Sequence, residues 1–245
     1  MITKNQIKYI KDLSRKAIRS VEKKFVVEGE KLIVEMLQSK VEFDEIFAIE
    51  SWIEEHPTIP ATLVSTKDLE RISQLKSPNK VLAVVHMFED EVNDDVENGV
   101  TLFLDRINDP GNLGTIIRMA DWFGVRKVIC TEQSVDVYNS KVIQSSMGSV
   151  FRIPVFYQDA EEYLSNYKIQ FPENPIIGAA MQGEELGKIA MPTNGLLVMG
   201  SESHGIDETI ESHITQLVTI PKMGYAESLN VAVATGIVLW EWKRG

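Results

Sequence analysis

Residues 100–124 read VTLFLDRINDPGNLGTIIRMADWFG, and this stretch decides the fold class. The run VTLFLD at its start shows little alternation of polar and apolar side chains, which predicts a strand buried on both faces. A proline and a glycine then predict a tight turn, and the segment from Leu113 to Gly124 has the periodicity of a helix. Asn112 stands where a helix N-cap is expected. A buried strand that leads through a loop into a helix indicates a parallel α/β sheet.

The same alternation continues to the end of the chain. KVIC (127–130), PIIGAA (175–180) and GLLVMG (195–200) are further apolar runs that predict strands of this sheet. The segment from Leu229 to Trp242 predicts a last helix that is apolar on most sides, so we expect it to be buried, in part against a second subunit. The sequence therefore predicts one α/β domain over residues 100–245.

A smaller α/β unit is predicted ahead of this domain. Apolar residues at helical spacing indicate a first helix over residues 7–18, and FVVEGEKLIVEML (25–37) indicates a short strand and a helix from about Glu28. A helix from Thr66 and the strand VLAVVHM (81–87) complete the pattern. The segment EDEVNDDVENG (89–99) is acidic and poor in apolar residues. We interpret residues 1–88 as one domain and residues 89–99 as a linker.

The composition is that of an ordinary globular protein, with 44% apolar and 25% charged residues in a chain of 245. The apolar run from Val231 to Trp240 is shorter than the ~20 residues of a membrane span. The N-terminus is rich in charges and lacks the apolar core of a signal peptide. A single cysteine, Cys130, excludes an internal disulfide and a cysteine-built zinc site. We therefore expect a soluble cytoplasmic protein that does not associate with membranes.

The net charge of −11 argues against a broad surface for nucleic acid, because phosphate binding requires Lys and Arg. The charge is uneven, since residues 1–24, here called the basic arm, hold eight basic and two acidic residues. The arm fits either a polyanion-binding element or a solvated amphipathic helix. Its candidate RNA-binding residues are Lys4, Lys8, Lys11, Arg15, Lys16 and Arg19.

Three polar, glycine-rich islands follow predicted strands, at residues 112–118, 200–205 and 220–230. Taken singly, Asn112 and Ser228 fit helix caps, while Glu202 and Arg118 fit solvated charges. Loops at the carboxyl ends of parallel strands converge, so the islands together predict a ligand site. The sequence lacks the signatures of P-loop nucleotide-binding proteins, zinc proteases, serine hydrolases and dinucleotide-binding folds.

In combination, the islands resemble the three motifs of the SpoU (TrmH-like) family, which belongs to the SPOUT superfamily of RNA methyltransferases. The motifs are N-x5-R, G-S-E-x-x-G and I-P-K-M-G-x-x-x-S-L-N-V-x-V-A, and the match spans roughly residues 100–242. The segment FVVEGEKLIVEML is similar to the L30e-like substrate-binding domain that precedes the catalytic domain in many members. This chain departs from the family pattern at Ser203 and His204, where many members carry glycine and lysine.

The resemblance implies a parallel α/β sheet whose C-terminal part is threaded into a trefoil knot, an exception to the near absence of knots in proteins. It also implies S-adenosylmethionine as methyl donor, no metal, and a homodimer with the site at its interface. The implied cofactor-binding residues are Ala179, Ala180, Gly200, Ile220, Met223 and Leu229. The implied catalytic residues are Asn112, Arg118, Glu202, Ser228 and Asn230.

Two roles for Arg118 remain open. The resemblance implies that Arg118 helps to remove the proton of a ribose 2′-hydroxyl. An arginine with a pKa above ~12 is a poor base, however, so we favour binding of the target phosphate and polarisation of the hydroxyl.

The leading functional prediction is 2′-O-methylation of ribose in ribosomal RNA of the 23S type, because of the L30e-like front domain. One alternative is a transfer RNA 2′-O-methyltransferase. A second is a non-catalytic RNA-binding or ribosome-assembly factor with the same fold, which the joint presence of the five catalytic candidates disfavours. A third is an N- or base-methylating member of the superfamily, which the SLN motif (228–230) disfavours. The sequence specifies neither the nucleotide nor whether free RNA or a ribosomal particle is bound.

Overall fold

The computed structural model describes residues 2–88 and 99–244. Residues 2–88 build a four-stranded sheet, and residues 99–244 build a six-stranded sheet. The predicted acidic linker at 89–99 lies outside the described residues except for Gly99. In the two described ranges, every helix is too short or too polar to cross a membrane.

The N-terminal sheet has the order β1-β4-β2-β3, in which β4 is antiparallel to both β1 and β2, and β2 is parallel to β3. Helices connect its strands, as the alternating sequence pattern predicts. The elements are α1 Lys4–Asp12, α2 Lys16–Glu22, β1 Lys24–Glu28, α3 Glu30–Gln38, β2 Phe43–Ala48, α4 Glu50–Glu55, β3 Thr62–Leu63, α5 Thr66–Ile72 and β4 Val81–His86.

Two predicted boundaries in this part of the chain are wrong. The single first helix is two helices, because Arg15 adopts an extended conformation (φ −90°, ψ 127°) that separates α1 from α2. The helix expected from about Glu28 begins at Glu30, because Glu28 is the last residue of β1 and Gly29 turns the chain with φ 102°. The predicted start of α5 at Thr66 is correct, with Ser65 as its cap.

The two faces of the N-terminal sheet have different neighbours. Phe25 and Val27 of β1 share a hydrophobic core with α3 and with the six-stranded sheet. Val26, between them, belongs to a separate core with α1 and α5. Successive residues of a strand point to opposite faces. The helix α1, which carries Lys4, Lys8 and Lys11 of the basic arm, therefore lies on the face of the sheet turned away from the second domain.

The six-stranded sheet has the order β10-β8-β9-β5-β6-β7, and every neighbouring pair is parallel. This confirms the predicted parallel α/β class; the trefoil knot stays a prediction. The strands β5, β6 and β9 are buried along their whole length, as their continuous apolar runs indicate. The elements are β5 Val100–Leu104, α6 Pro110–Trp122, β6 Lys127–Thr131, α7 Ser140–Ser146, a 3-10 helix Ser149–Phe151, β7 Val155–Gln158, α8 Ala160–Gln170, β8 Ile176–Glu185, β9 Gly195–Met199, α9 Glu208–Glu211, β10 Gln216–Thr219 and α10 Val231–Arg244.

One residue of the basic arm joins the two sheets instead of facing solvent. Arg19 is 4% exposed, and its guanidinium donates to the carbonyl oxygens of Leu13 and Ser14 and pairs with Asp136. The prediction that Arg19 binds RNA is therefore wrong, because its charge is already neutralised inside the protein.

The α3 side of the N-terminal sheet is fixed to the second domain by further polar contacts. Gln144 Nε2 donates to the carbonyl oxygen of Glu28 at 2.8 Å. Arg152 bonds to Glu35 Oε2 at 2.6 Å and to Asp121 Oδ2 at 2.8 Å. Buried apolar side chains of both sheets form one continuous core. The two sheets are thus packed as one body along α3 and α7.

Candidate functional site

Three loops meet at the carboxyl edge of the six-stranded sheet, and one carboxylate oxygen joins them. Glu202 Oε1 accepts hydrogen bonds from Asn112 Nδ2 at 3.0 Å, from Asn230 Nδ2 at 2.6 Å and from the backbone N–H of Val231 at 3.1 Å. Asn230 Nδ2 also donates to Asn112 Oδ1 at 2.8 Å. We call Asn112, Glu202 and Asn230 the polar network. It contains one residue from each of the three sequence islands.

Helix capping at this edge differs from the expectation. Asp109, not Asn112, caps α6, and its side chain accepts from the backbone N–H of Asn112 at 2.8 Å. Asn230, not Ser228, caps α10, because its Oδ1 accepts from Ala232 N at 3.1 Å and Val233 N at 3.3 Å. With Asp109 as the cap, the Asn112 side chain can reach Glu202.

A cavity of about 380 Å³ lies beside the polar network, within the size range of small-molecule sites. Glu202 and Ser228 belong to its lining. All six residues predicted to bind the cofactor also line it, namely Ala179, Ala180, Gly200, Ile220, Met223 and Leu229.

One wall of this cavity is the exposed segment 221–229, here called the cavity loop. Met223 is 95% exposed and Leu229 is 45% exposed, although both are apolar. Among the described residues, no backbone N–H or C=O group of the cavity loop bonds to another backbone group. These groups are therefore free to bond to a ligand.

Gly200 makes possible the tight turn that carries Glu202. Ser201 and Gly205 exchange backbone hydrogen bonds of 3.0 and 2.9 Å across this turn. A Cβ added at Gly200 would lie 2.2 Å from the carbonyl carbon of Gly205. A side chain at position 200 would therefore displace the loop that holds Glu202 against Asn112 and Asn230.

Sequence reasoning missed an ion cluster at the base of this loop. Arg106 adopts φ 53°, and its guanidinium bonds to Asp105 Oδ2 at 2.9 Å and Asp207 Oδ2 at 3.0 Å. Asp105 is 2% exposed and also accepts from the backbone N–H of Asp207 at 3.0 Å. Hydrogen bonds from Thr209, together with the Arg106 charge, hold the pKa of Asp207 below its usual value. Arg106 thus ties the loop after β5 to the end of the Glu202 loop.

Two predicted catalytic residues stand outside the polar network. Arg118 is exposed, does not line the cavity, and makes no hydrogen bond or ion pair with any residue that the structure describes. Ser228 lines the cavity, but its hydroxyl bonds to none of the described residues. His204, which the sequence analysis left out of the site, contacts Ser203 Oγ through Nδ1 at 2.7 Å.

Within residues 2–88 and 99–244, no group of three or more His, Cys, Asp or Glu side chains has the arrangement of a metal site. The cavity offers apolar side chains, unpaired backbone groups, a hydroxyl and a carboxylate. Such a lining suits an organic ligand that has both a flat apolar part and polar ends.

Two family models match the chain. The one described as the SpoU rRNA Methylase family covers residues 99–240, and the one described as the MRM3-like substrate binding domain covers residues 4–83. The first match includes the whole polar network and the cavity lining. The second match includes nearly the whole four-stranded sheet.

Individual proteins resemble the chain along its full length. The 23S rRNA (guanosine(2553)-2′-O)-methyltransferase RlmP of Bacillus subtilis is 31% identical, over 97% of this chain and 96% of the relative. A structure described as an RNA methyltransferase of the TrmH family from Porphyromonas gingivalis has a TM-score of 0.90 at 35% identity, and the match covers 100% and 99% of the two chains. An AdoMet-bound rRNA methyltransferase from Sinorhizobium meliloti has a TM-score of 0.85 at 27% identity and coverages of 100% and 96%.

Proposed function

The chain belongs to the SpoU rRNA methylase family and is an RNA methyltransferase, and we propose that it transfers the methyl group of S-adenosylmethionine to a ribose 2′-hydroxyl of 23S ribosomal RNA. The observation that carries this proposal is the convergence of Asn112, Glu202 and Asn230 beside the cavity. The RlmP relative and the AdoMet-bound neighbour support the choice of RNA and of methyl donor.

The cavity fits S-adenosylmethionine in size and in chemistry. Its apolar residues, such as Ile220 and Leu229, would flank the adenine, and unpaired backbone groups of the cavity loop would bond to the edge of that ring. A carboxylate such as that of Glu227 suits the cationic part of the molecule. When bound, S-adenosylmethionine supplies an electrophilic methyl group on a sulfonium ion.

The protein's own contribution is to align the hydroxyl and to ease the loss of its proton. Both amide groups of the polar network donate to Glu202, so the loops that meet the ribose are held in one arrangement before RNA binds. Arg118, on the same helix as Asn112, has no hydrogen-bond or ion-pair partner among the described residues. We propose that it binds the phosphate of the target nucleotide and polarises the 2′-hydroxyl, because its five donors match a phosphate and a guanidinium is a poor base.

Because Arg118 lies outside the cavity of its own chain, we propose that two copies complete the site as a homodimer. The last helix, α10, supports this proposal. Its Val233, Ile237 and Trp240 side chains are 50%, 37% and 57% exposed, whereas the opposite side of the helix is buried. Exposed apolar side chains along one helix face are typical of a protein interface. A strict monomer at micromolar concentration would contradict this assembly.

We further propose that residues 1–88 form the RNA-binding domain and residues 100–245 the catalytic domain, in agreement with the two family models. A cytoplasmic location stays a prediction.

Methyl transfer in vitro tests the proposed function. Purified protein is incubated with S-adenosylmethionine carrying a tritiated methyl group and with 23S rRNA, 16S rRNA or bulk transfer RNA. We expect label in 23S rRNA, in a nucleotide whose 3′ phosphodiester resists alkaline hydrolysis, because the 2′-hydroxyl is blocked. Label in transfer RNA alone, or label removed with the base, would contradict the proposal.

Arg118→Lys separates the two roles of the arginine. If several N–H donors of the planar guanidinium are needed to bind a phosphate, the lysine variant should have little activity. Retention of most activity would show that positive charge alone suffices.

A further inference from the structure

We propose that the RNA backbone is bound along a junction surface formed by Lys31, Lys141 and Arg118, where the two domains meet, and not along the lysines of α1. This inference rests on the proposed function, since it assigns the surface by which RNA approaches the same site. It names three cations from three different helices: α3 of the N-terminal domain, and α7 and α6 of the catalytic domain.

Lys31 lies on the face of α3 that packs toward the catalytic domain. Residues four apart share one face of a helix, and Lys31 precedes Glu35 by four. Glu35 Oε2 bonds to Arg152 at 2.6 Å, and a Cβ added at Gly148 would lie 2.8 Å from Glu35 Cβ. Lys31 is exposed and lies one helical turn before Glu35. Lys31 is therefore near the end of α7.

Lys141 lies on the other side of the same contact. Gln144, one turn after Lys141, donates through Nε2 to the carbonyl oxygen of Glu28, just before α3 begins. Ser145, four residues after Lys141, donates through Oγ to the carbonyl oxygen of Pro110 at the start of α6. The exposed Lys141 thus stands between the beginning of α3 and the end of α6 that carries Asn112.

Arg118, the third residue of the junction surface, lies on α6. Gly114, four residues before Arg118, packs against α7 so closely that an added Cβ would lie 2.0 Å from Ser145 Oγ. Arg118 is thus one helical turn beyond the crossing of α6 and α7. Each of the three cations thus lies about one helical turn from a contact between α7, or the residues just after it, and the neighbouring elements.

The three cations of the junction surface are available to a polyanion. Lys31, Lys141 and Arg118 are exposed and make no ion pair with the described residues. Glu35 and Asp121, which share Arg152, and Glu30, which lies 3.4 Å from Lys80, are bonded to other cations of the protein. Lys and Arg side chains without a partner in the protein attract phosphate groups.

The lysines of α1 are less well placed for this role. Lys4, Lys8 and Lys11 belong to α1, which packs on the face of the N-terminal sheet opposite to α3. A whole sheet therefore separates these lysines from the catalytic domain of the same chain. RNA that contacts the junction surface reaches Arg118 along one continuous path, whereas RNA on α1 does not.

The test compares two double variants with the same change in charge. Lys31→Glu/Lys141→Glu alters the junction surface, and Lys8→Glu/Lys11→Glu alters the arm. Affinity for a 23S rRNA fragment is measured from 50 to 200 mM salt, and S-adenosylmethionine binding is measured by calorimetry as a control for folding. Lys31→Ala/Lys141→Ala checks that any loss does not come from the added acids.

We expect the junction variant to bind RNA about tenfold or more weakly, with a salt slope lower by about 2, because two phosphate contacts are lost. Its affinity for S-adenosylmethionine should equal that of wild type, and the arm variant should bind RNA within about twofold of wild type. If the arm variant lost more RNA affinity than the junction variant, or if both lost the same amount, the junction surface would be overturned. The proposed methyl transfer would not be affected by that result. Wild-type protein that binds S-adenosylmethionine but neither binds nor methylates RNA would overturn the proposed function as well.

Discussion

The polar network and the cavity loop are adjacent parts of one site, yet they use their hydrogen-bonding groups in opposite ways. In the network, Asn112, Glu202 and Asn230 bond to one another and to the start of α10. In the cavity loop, no backbone group from 221 to 229 has a backbone partner among the described residues. Groups that must keep one arrangement throughout the reaction are bonded within the protein, while groups that meet a ligand are left unpaired.

Arg118 belongs to neither part, and its removal should have the largest effect on catalysis. We expect Arg118→Ala to lower kcat/KM by about 1000-fold, within the range for groups that assist proton transfer. Affinity for S-adenosylmethionine and thermal stability should stay unchanged, because Arg118 is exposed and unpaired. Single-turnover methyl transfer, calorimetry and thermal unfolding measure the three quantities. Arg126→Ala, another exposed arginine of this domain, serves as the control; equal activity of the two variants would remove Arg118 from the site.

Loss of the network carboxylate should have the next largest effect. Glu202→Ala removes the acceptor shared by Asn112, Asn230 and the Val231 N–H. We expect kcat/KM to fall about 100-fold, as for misplaced reacting groups, and Tm to fall by a few degrees.

Glu202→Gln keeps an acceptor oxygen and should retain activity within about tenfold of wild type. If Glu202→Gln is as inactive as Glu202→Ala, the negative charge of Glu202 acts in the reaction itself. The distinction between a positioning network and a ligand-binding loop would then be wrong. Glu208→Ala, at an exposed acid in α9, controls for the loss of one negative charge.

Arg106 is not part of the polar network but bonds to residues at the base of the Glu202 loop, so its removal should have a smaller effect on catalysis. Arg106→Ala leaves the buried Asp105 without its charged donor, at a cost of about 1–3 kcal/mol in the free energy of unfolding. We expect kcat/KM to fall about tenfold, because the loop that carries Glu202 loses its tie to Asp207.

Arg106→Gly is the matched variant, since glycine adopts the observed φ of 53° without strain. It should be more stable than the Ala variant and equally impaired in catalysis. Recovery of full activity with glycine would show that the backbone, not the ion cluster, positions the loop.

Glu28 in the N-terminal sheet also holds a loop in place, but it does not line the cavity, and its change should have the smallest effect on activity. Its carboxylate accepts from the Gln74 N–H at 2.6 Å and from Ser73, and burial raises its pKa above 4.5. The folded protein then binds more protons than the unfolded chain, so stability falls as pH rises from about 4.5 through the raised pKa.

Glu28→Gln should abolish this part of the pH dependence and change kcat/KM less than twofold. Urea unfolding between pH 4 and 7 measures the first effect. A variant whose free energy of unfolding is lower than that of wild type by the same amount at every pH would show that the pKa of Glu28 does not change on folding, which would contradict this prediction.

The fold class and the meeting of the three islands could be predicted from sequence because both depend on local patterns. Continuous apolar runs predicted the buried strands. The motifs that contain Asn112, Glu202 and Asn230 resemble those of the family. The roles of individual caps could not be predicted, since Asp109 and Asn112 are equally good caps by residue type. Only the backbone conformation decides between them.

Contacts between distant parts of the chain also escaped prediction. Arg19 is one of several basic residues at its end of the chain, and nothing local distinguishes it from its exposed neighbours. Its burial depends on Asp136, more than a hundred residues away. In the same way, the face of the sheet on which α1 lies depends on tertiary packing, which the sequence of the basic arm does not specify. The ion cluster of Arg106 was not predicted, because neither its positive φ nor its two ion pairs can be recognised from the neighbouring sequence.

Ribose methylation of cellular RNA tests the central claim most directly. Positions protected from alkaline hydrolysis are mapped in ribosomal and transfer RNA from cells with the gene, without it, and with the gene carrying Arg118→Ala. The proposed function predicts that one 2′-O-methyl position in 23S rRNA disappears without the gene, returns with the wild-type gene, and stays absent with the Arg118→Ala gene. An unchanged methylation map in all three strains would contradict it.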